Sequence, residues 1–96
     1  MPDYRLSEEA DRDIYAIALY TLENWNEAHA DRYIIGLHNT FQRLAAKPRL
    51  GIRCDDIRPG YFRRRYRSHM VFYKEAQNGI LIVRVLHAQM DYLRHL

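Results

Sequence analysis

The hydrophobic pattern of this chain changes period at Pro48. Upstream, apolar residues recur every three or four positions; downstream they alternate. Helices therefore come first and a sheet second. Ninety-six residues provide one core for both, so the expectation is a single α+β domain over 1–96, in which a helical hairpin covers one face of a twisted antiparallel sheet.

The elements follow from local chemistry. Tyr4 to Leu6 alternates weakly, as a short strand would. Ser7 with Glu8 and Glu9 reads as a helix start, a hydroxyl cap followed by carboxylates at the positive end of the dipole. Ala10, Ile14, Ile17, Ala18, Thr21 and Trp25 form one helical face, widened by Tyr15, Leu19 and Leu22. Asn26 caps a second helix carrying Ala30, Tyr33, Ile34, Leu37, Phe41 and Leu44, which Pro48 ends. Arg49 to Asp56 reads as loop and Arg58-Pro59-Gly60 as a turn. Strands are expected over 61–66, 69–74 and 80–86, the last two joined at Asn78-Gly79. Ala88 to Leu96 closes the chain as a short helix. The expected order is β-α-α-β-β-β-α.

Charge is divided between the two halves. Residues 1–48 hold five Lys/Arg against eight Asp/Glu, whereas residues 49–96 hold ten against four. Five of those ten are arginines within Arg58 to Arg67, a run of ten residues without an acid. On a strand, Phe62, Arg64 and Tyr66 face one way and Tyr61, Arg63 and Arg65 the other. Guanidinium groups held this close repel one another unless an anion meets them. The sheet face away from the helices is where they are expected, and a phosphate or a partner's carboxylate is what they suit.

Other constellations are weaker. Ser68 beside His69 is a turn rather than a hydrolase pair, since neighbouring strand residues point to opposite faces and no glycine-framed nucleophile is present. Of five histidines, His87 with Asp91, four apart at the start of the expected last helix, is the favourable spacing, with His87 read as the cap; two ligands do not make a metal site. Arg84 interrupts an apolar strand and shares a face with Ile80, Ile82 and Leu86, so it contacts a target or closes an internal ion pair. Cys54 has no partner for an internal disulfide, and Asp55 and Asp56 raise its pKa. No leader and no membrane-length apolar run is evident, which fits a reducing cytoplasm. Nothing calls for a cofactor, a metal or a small-molecule substrate.

The wording of the second half then resembles a known family. Arg65-x-Arg67-Ser68-His69-x-Val71-Phe72-Tyr73 is followed by Gly79-Ile80-x-Ile82-x-Arg84-Val85-Leu86-His87-x-x-Met90-Asp91 and by His95-Leu96. With Ala10, Asp13, Ile14 and Ile17 in the first helix and the Arg58-Pro59-Gly60 turn, this is similar to the ParE branch of the RelE/ParE toxins. The resemblance implies a type II toxin that poisons DNA gyrase by stabilising its cleaved DNA complex. It also implies a ParD-like ribbon-helix-helix antitoxin whose acidic tail folds on the toxin. On that reading Arg63, Arg64, Arg65, Arg67, Arg84, His87, Met90, Asp91 and His95 meet the target, with nucleic acid touched only through gyrase. Tyr15, Leu19, Leu22, Tyr33, Leu37 and Phe41 meet the antitoxin. The RelE branch, a ribosome-dependent mRNA endoribonuclease, is the alternative. Arg65 and Arg84 match its arginines, but no tyrosine follows Arg84 in the last strand and Tyr92 is out of line, so no residue is assigned as catalytic. A plain nucleic-acid-binding module is the third reading.

Overall fold

In a computed structural model, described over residues 2–96, the order is β1 (Asp3–Leu6), α1 (Glu8–Asn24), α2 (Glu27–Ala46), a 3-10 turn (Pro48–Leu50), β2 (Ile52–Arg53), β3 (Tyr61–Tyr66), β4 (His69–Ala76), β5 (Gly79–His87) and a 3-10 turn (Tyr92–Arg94). The strands lie in the order β1-β5-β4-β3-β2. From β2 to β5 all pairings are antiparallel. Strand β1 instead joins β5 in parallel, so the sheet is mixed rather than wholly antiparallel. Gly79 admits it: a Cβ there would collide with the Asp3 carbonyl oxygen.

Both helix starts are capped as their residues require. Ser7 Oγ accepts from Ala10 N at 3.0 Å and donates to the Val83 carbonyl at 2.7 Å, which also fixes α1 to β5. Asn26 accepts from His29 N at 2.8 Å. Only Trp25 and Asn26 separate the helices, which forces an antiparallel hairpin. The main core lies between that hairpin and the sheet, with Ile14 and Ile17 from α1, Leu37, Phe41 and Leu44 from α2, and Phe62, Val71, Tyr73, Ile80, Ile82 and Val85 from the strands.

Several expectations need correction here. Leu37 and Phe41 have no exposed surface; they belong to the core and leave the antitoxin surface. Trp25, expected on the buried stripe, is the C-cap of α1, where the backbone leaves the helical conformation, and it is 66% exposed. Arg84 does not share a face with Ile80 and Ile82. The register skips Val83, pairing Phe72 with Arg84 and Tyr73 with Ile82. This bulge reverses the alternation, so Val85 rather than Leu86 continues the helix-facing row.

The opposite sheet face is not an open field of arginines. Cys54, Phe72 and Leu86 form a second small core there, covered by Ile57, Tyr61, Met70, Tyr92 and Leu96. Cys54 is therefore buried rather than looped out; burial raises its thiol pKa first, Arg63 opposes this, and Asp56 and Asp55 add to it. The expected terminal helix is a single 3-10 turn capped by Asp91, whose Oδ1 accepts from Leu93 N at 3.2 Å. His87 instead accepts from Gln89 N. Packing of the Tyr92 ring on Phe72 (4.9 Å, edge-on) directs this segment onto the sheet, where a longer helix would stand away from it.

Candidate functional site

Strand β3 carries the arginines on both faces. Phe62 and Tyr66 anchor it to the main core, and Tyr61 to the small one. Arg64, Arg65 and Arg67 are exposed and Arg63 is half-buried near Cys54. Their internal bonds go to backbone oxygens: Arg64 Nη1 to Leu50 at 3.3 Å, Arg65 Nε to Arg67 at 2.7 Å, and Arg58 Nε to Leu96 at 3.0 Å. Among the described residues the ion pairs are Arg49–Glu75, Arg53–Asp55, Arg84–Asp13 and Arg94–Asp91. Arg58 is held by the Leu96 oxygen through both Nε and Nη2; among the described residues, none of Arg63, Arg64, Arg65 and Arg67 has a side-chain carboxylate partner. Arg67 also occupies a left-handed position in the tight turn to Ser68, with φ of 50°. A non-glycine residue there costs about 1 kcal/mol, so this turn places a guanidinium at the expense of local stability.

Arg84 behaves differently. Its Nε and Nη2 bind the Asp13 carboxylate at 2.8 and 2.9 Å, and its Nη1 binds the His95 carbonyl at 3.0 Å. Asp13 Oδ2 also accepts the Val85 N–H at 3.0 Å, capping the part of β5 that β1 does not reach. The Asp13 hydrogen bonds raise the Arg84 pKa further, against the effect of burial. Arg84 is thus an internal ion pair that ties α1, β5 and the terminal segment together.

Beside this pair a groove of about 900 Å³ runs between the α1–α2 hairpin and the end of the β4–β5 ladder. It gathers Arg67, Arg84, His87, Met90 and His95 of the expected target residues, together with Tyr33. Arg63, Arg64, Arg65 and Asp91 lie outside it. Tyr20, Trp25, His29, Arg32 and His69 also line it and were not singled out. The signal for them was faint: Trp25 at a helix end beside a cap, and His69 as the cross-strand partner of His87.

His69 is perturbed by its place in the groove. Tyr33 Oη lies 2.6 Å from its Nδ1, so that nitrogen is engaged by the phenol and not by Ser68. The His87 ring is edge-on at 5.5 Å. Burial lowers the His69 pKa below its ordinary value of 6.5, His87 adds to the effect, and Asp13 opposes it. As pH falls, the unfolded chain takes up this proton before the folded one does. The contribution to stability is whole above about pH 6.5 and is lost progressively below it, down to the folded-state value. His69→Gln is therefore expected to flatten the fall in Tm between pH 7 and pH 5; an unchanged slope would remove His69 as its cause.

Among the described residues, no cluster of three His, Cys, Asp or Glu is arranged to hold a metal ion. No described helix is long and apolar enough to cross a membrane. The arrangement offers an unpaired cationic strand, a concave site with rings and guanidinium groups, and a third surface: Tyr15, Leu19 and Leu22 are exposed at helical spacing on α1, Tyr15 to 72%.

Comparison with known proteins agrees with this geometry. The profile of the ParE toxin of type II toxin-antitoxin system, parDE, matches residues 4–92. Toxin ParE1 of Mycobacterium tuberculosis is 39% identical over 94 residues, covering 97% of this chain and 96% of the relative. Toxin ParE1 of Caulobacter vibrioides is 35% identical over 96 residues, covering 100% and 99%. Toxin ParE of Escherichia coli is 33% identical over 97 residues, covering 100% and 94%. A solved structure, the chromosomal ParDE TA system from P. aeruginosa, superposes with a TM-score of 0.75 over 93% of this chain and 98% of that one, at 15% identity, a likeness of fold.

Proposed function

Because the chain belongs to the ParE toxin family of type II toxin–antitoxin systems, we propose that it halts growth by holding DNA gyrase in its DNA-cleaved state. The single observation that carries this is the arginine strand. Arg63, Arg64 and Arg65 on β3 and Arg67 in the turn that follows it have no side-chain carboxylate partner among the described residues, and the strand that carries them is braced by the sheet. Such an array meets an anionic surface with little loss of conformational freedom. Binding by charge and shape needs no nucleophile or base. The commitment of Arg84 to Asp13 speaks against the ribonuclease alternative, which needs that arginine at a scissile phosphate.

A ParD-like antitoxin neutralises the toxin by covering the α1 surface that carries Tyr15, Leu19 and Leu22. Exposed apolar side chains at i, i+4 and i+7 suit an amphipathic segment that folds as it binds. The site of action is the cytoplasm, where gyrase meets the chromosome. Purified protein added to gyrase, DNA and ATP is expected to accumulate double-strand breaks with protein attached, and to leave mRNA whole in a translation extract. Cleaved mRNA with unaffected gyrase would replace this reading by the ribonuclease. Salt-sensitive nucleic-acid binding with neither effect would reduce the protein to a binding module.

A further inference from the structure

We propose that the groove is a binding site for single-stranded DNA, taking an unpaired base against Trp25 and the adjoining phosphates on Arg67 and Arg32. The proposal rests on the gyrase reading only for the origin of the strand, the opened DNA at the cleavage site. The site itself rests on the groove.

The charge balance comes first. Three arginines line the groove, Arg32, Arg67 and Arg84, against one carboxylate, Asp13, which Arg84 already occupies. Arg32 and Arg67 are exposed and have no carboxylate partner among the described residues. The groove therefore selects an anion.

The kind of apolar surface decides which anion. Every exposed leucine and isoleucine lies outside the groove, including Leu19, Leu22 and Ile35. What the groove exposes is mainly flat: Tyr20 and Trp25, each 66% exposed, with the Trp25 ring stacked on His29 at 4.7 Å and 14° between planes, beside the less exposed Met90. An acidic peptide would be held through aliphatic pockets. Rings beside guanidinium groups suit a base with its phosphate, because every base has a stacking face. His69 and His87, whose Nδ1 atoms are engaged by Tyr33 and by Gln89 N, add their Nε2 nitrogens to the groove lining, where a base edge could be met. A concavity of about 900 Å³ is within the range of sites that enclose a small ligand.

Trp25 is the only tryptophan of the chain, so its emission reports on this groove alone. The full chain is titrated with a thymidine strand of roughly ten nucleotides and with an abasic deoxyribose-phosphate strand of equal length. Polyglutamate is the peptide probe. Base-bearing DNA is expected to quench Trp25 and to bind at least about tenfold more tightly than the abasic strand. By anisotropy of a labelled strand, Trp25→Ala should lose that preference and Trp25→Phe keep it, while Arg67→Gln and Arg32→Gln weaken both strands alike. Circular dichroism and Tm identify any variant that fails to fold; Trp25→Phe and wild type carry the test in that case. Equal binding of the two strands would overturn the proposal, as would polyglutamate binding more tightly than DNA. The two readings fail separately. Breaks in the gyrase assay without base-dependent quenching would sink the groove and leave the target standing, whereas quenching without breaks would do the reverse.

Discussion

The double substitution Arg64→Glu with Arg65→Glu is expected to abolish growth arrest and to weaken binding to gyrase and its DNA by at least about a hundredfold. Each charge-assisted contact contributes about 1.5 to 3 kcal/mol. Reversal removes two such contacts and adds repulsion in their place. The effect on folding is small by comparison, since both side chains are exposed and the only internal bonds at risk reach backbone oxygens. Surface changes of this kind usually stay within about 0.5 kcal/mol. The pair also spans both faces of β3, so loss of function in the double variant but in neither single one would mean that either face suffices. Full toxicity of a folded double variant would remove the arginine strand from the mechanism. Growth curves after induction, read beside the Tm of the purified protein, distinguish these results.

Asp13→Ala should produce the largest loss of stability of any polar substitution in the chain, about 3 kcal/mol. It leaves the Arg84 guanidinium without its counter-ion and the Val85 N–H without its acceptor, at sites where both charged side chains are mostly covered. For a domain of this size that corresponds to a fall in Tm of about 15 °C. Asp13→Asn keeps an acceptor for Val85 and loses the charge, so its cost should be intermediate. Thermal unfolding of the three proteins at pH 7 checks the order. A wild-type Tm for Asp13→Ala would show that Arg84 finds other company, and would return it to the residues available for a target.

Which of these features could be read in advance depends on how local their causes are. Ser7, Asn26 and Pro48 act within a turn of themselves, and the two helices begin and end where those residues require. Asn78 and Gly79, both with positive φ, make the last hairpin for the same reason. Misreadings begin where a distant residue decides. The bulge at Val83 arises where β1 gives way to α1 alongside β5, with Ser7 taking the Val83 carbonyl; nothing near Val83 announces it. That one residue moved Arg84 off the Ile80–Ile82 face and next to Asp13, a partner 71 positions away. The parallel pairing of β1 likewise depends on the far end of the chain.

The site was legible in part, for a related reason. Arg63, Arg64, Arg65 and Arg67 are close together in sequence, so the strand that carries the first three and the turn that carries the last were evident. The groove joins the α1–α2 corner to the β4–β5 end, and Trp25 and Arg32 acquire a role only through that meeting. Helical spacing also treats every residue of an apolar stripe alike. It could not separate Leu37 and Phe41, enclosed by the sheet, from Tyr15, Leu19 and Leu22 on the outer side of α1.

The most direct test of a toxin that grips without chemistry of its own is a count of gyrase-linked DNA breaks over time, with gyrase and DNA in excess over toxin. The account expects the count to level off no higher than the number of toxin molecules present, and added salt to lower the plateau by weakening the arginine contacts. Breaks that continue to accumulate past that number would show turnover, and would contradict it.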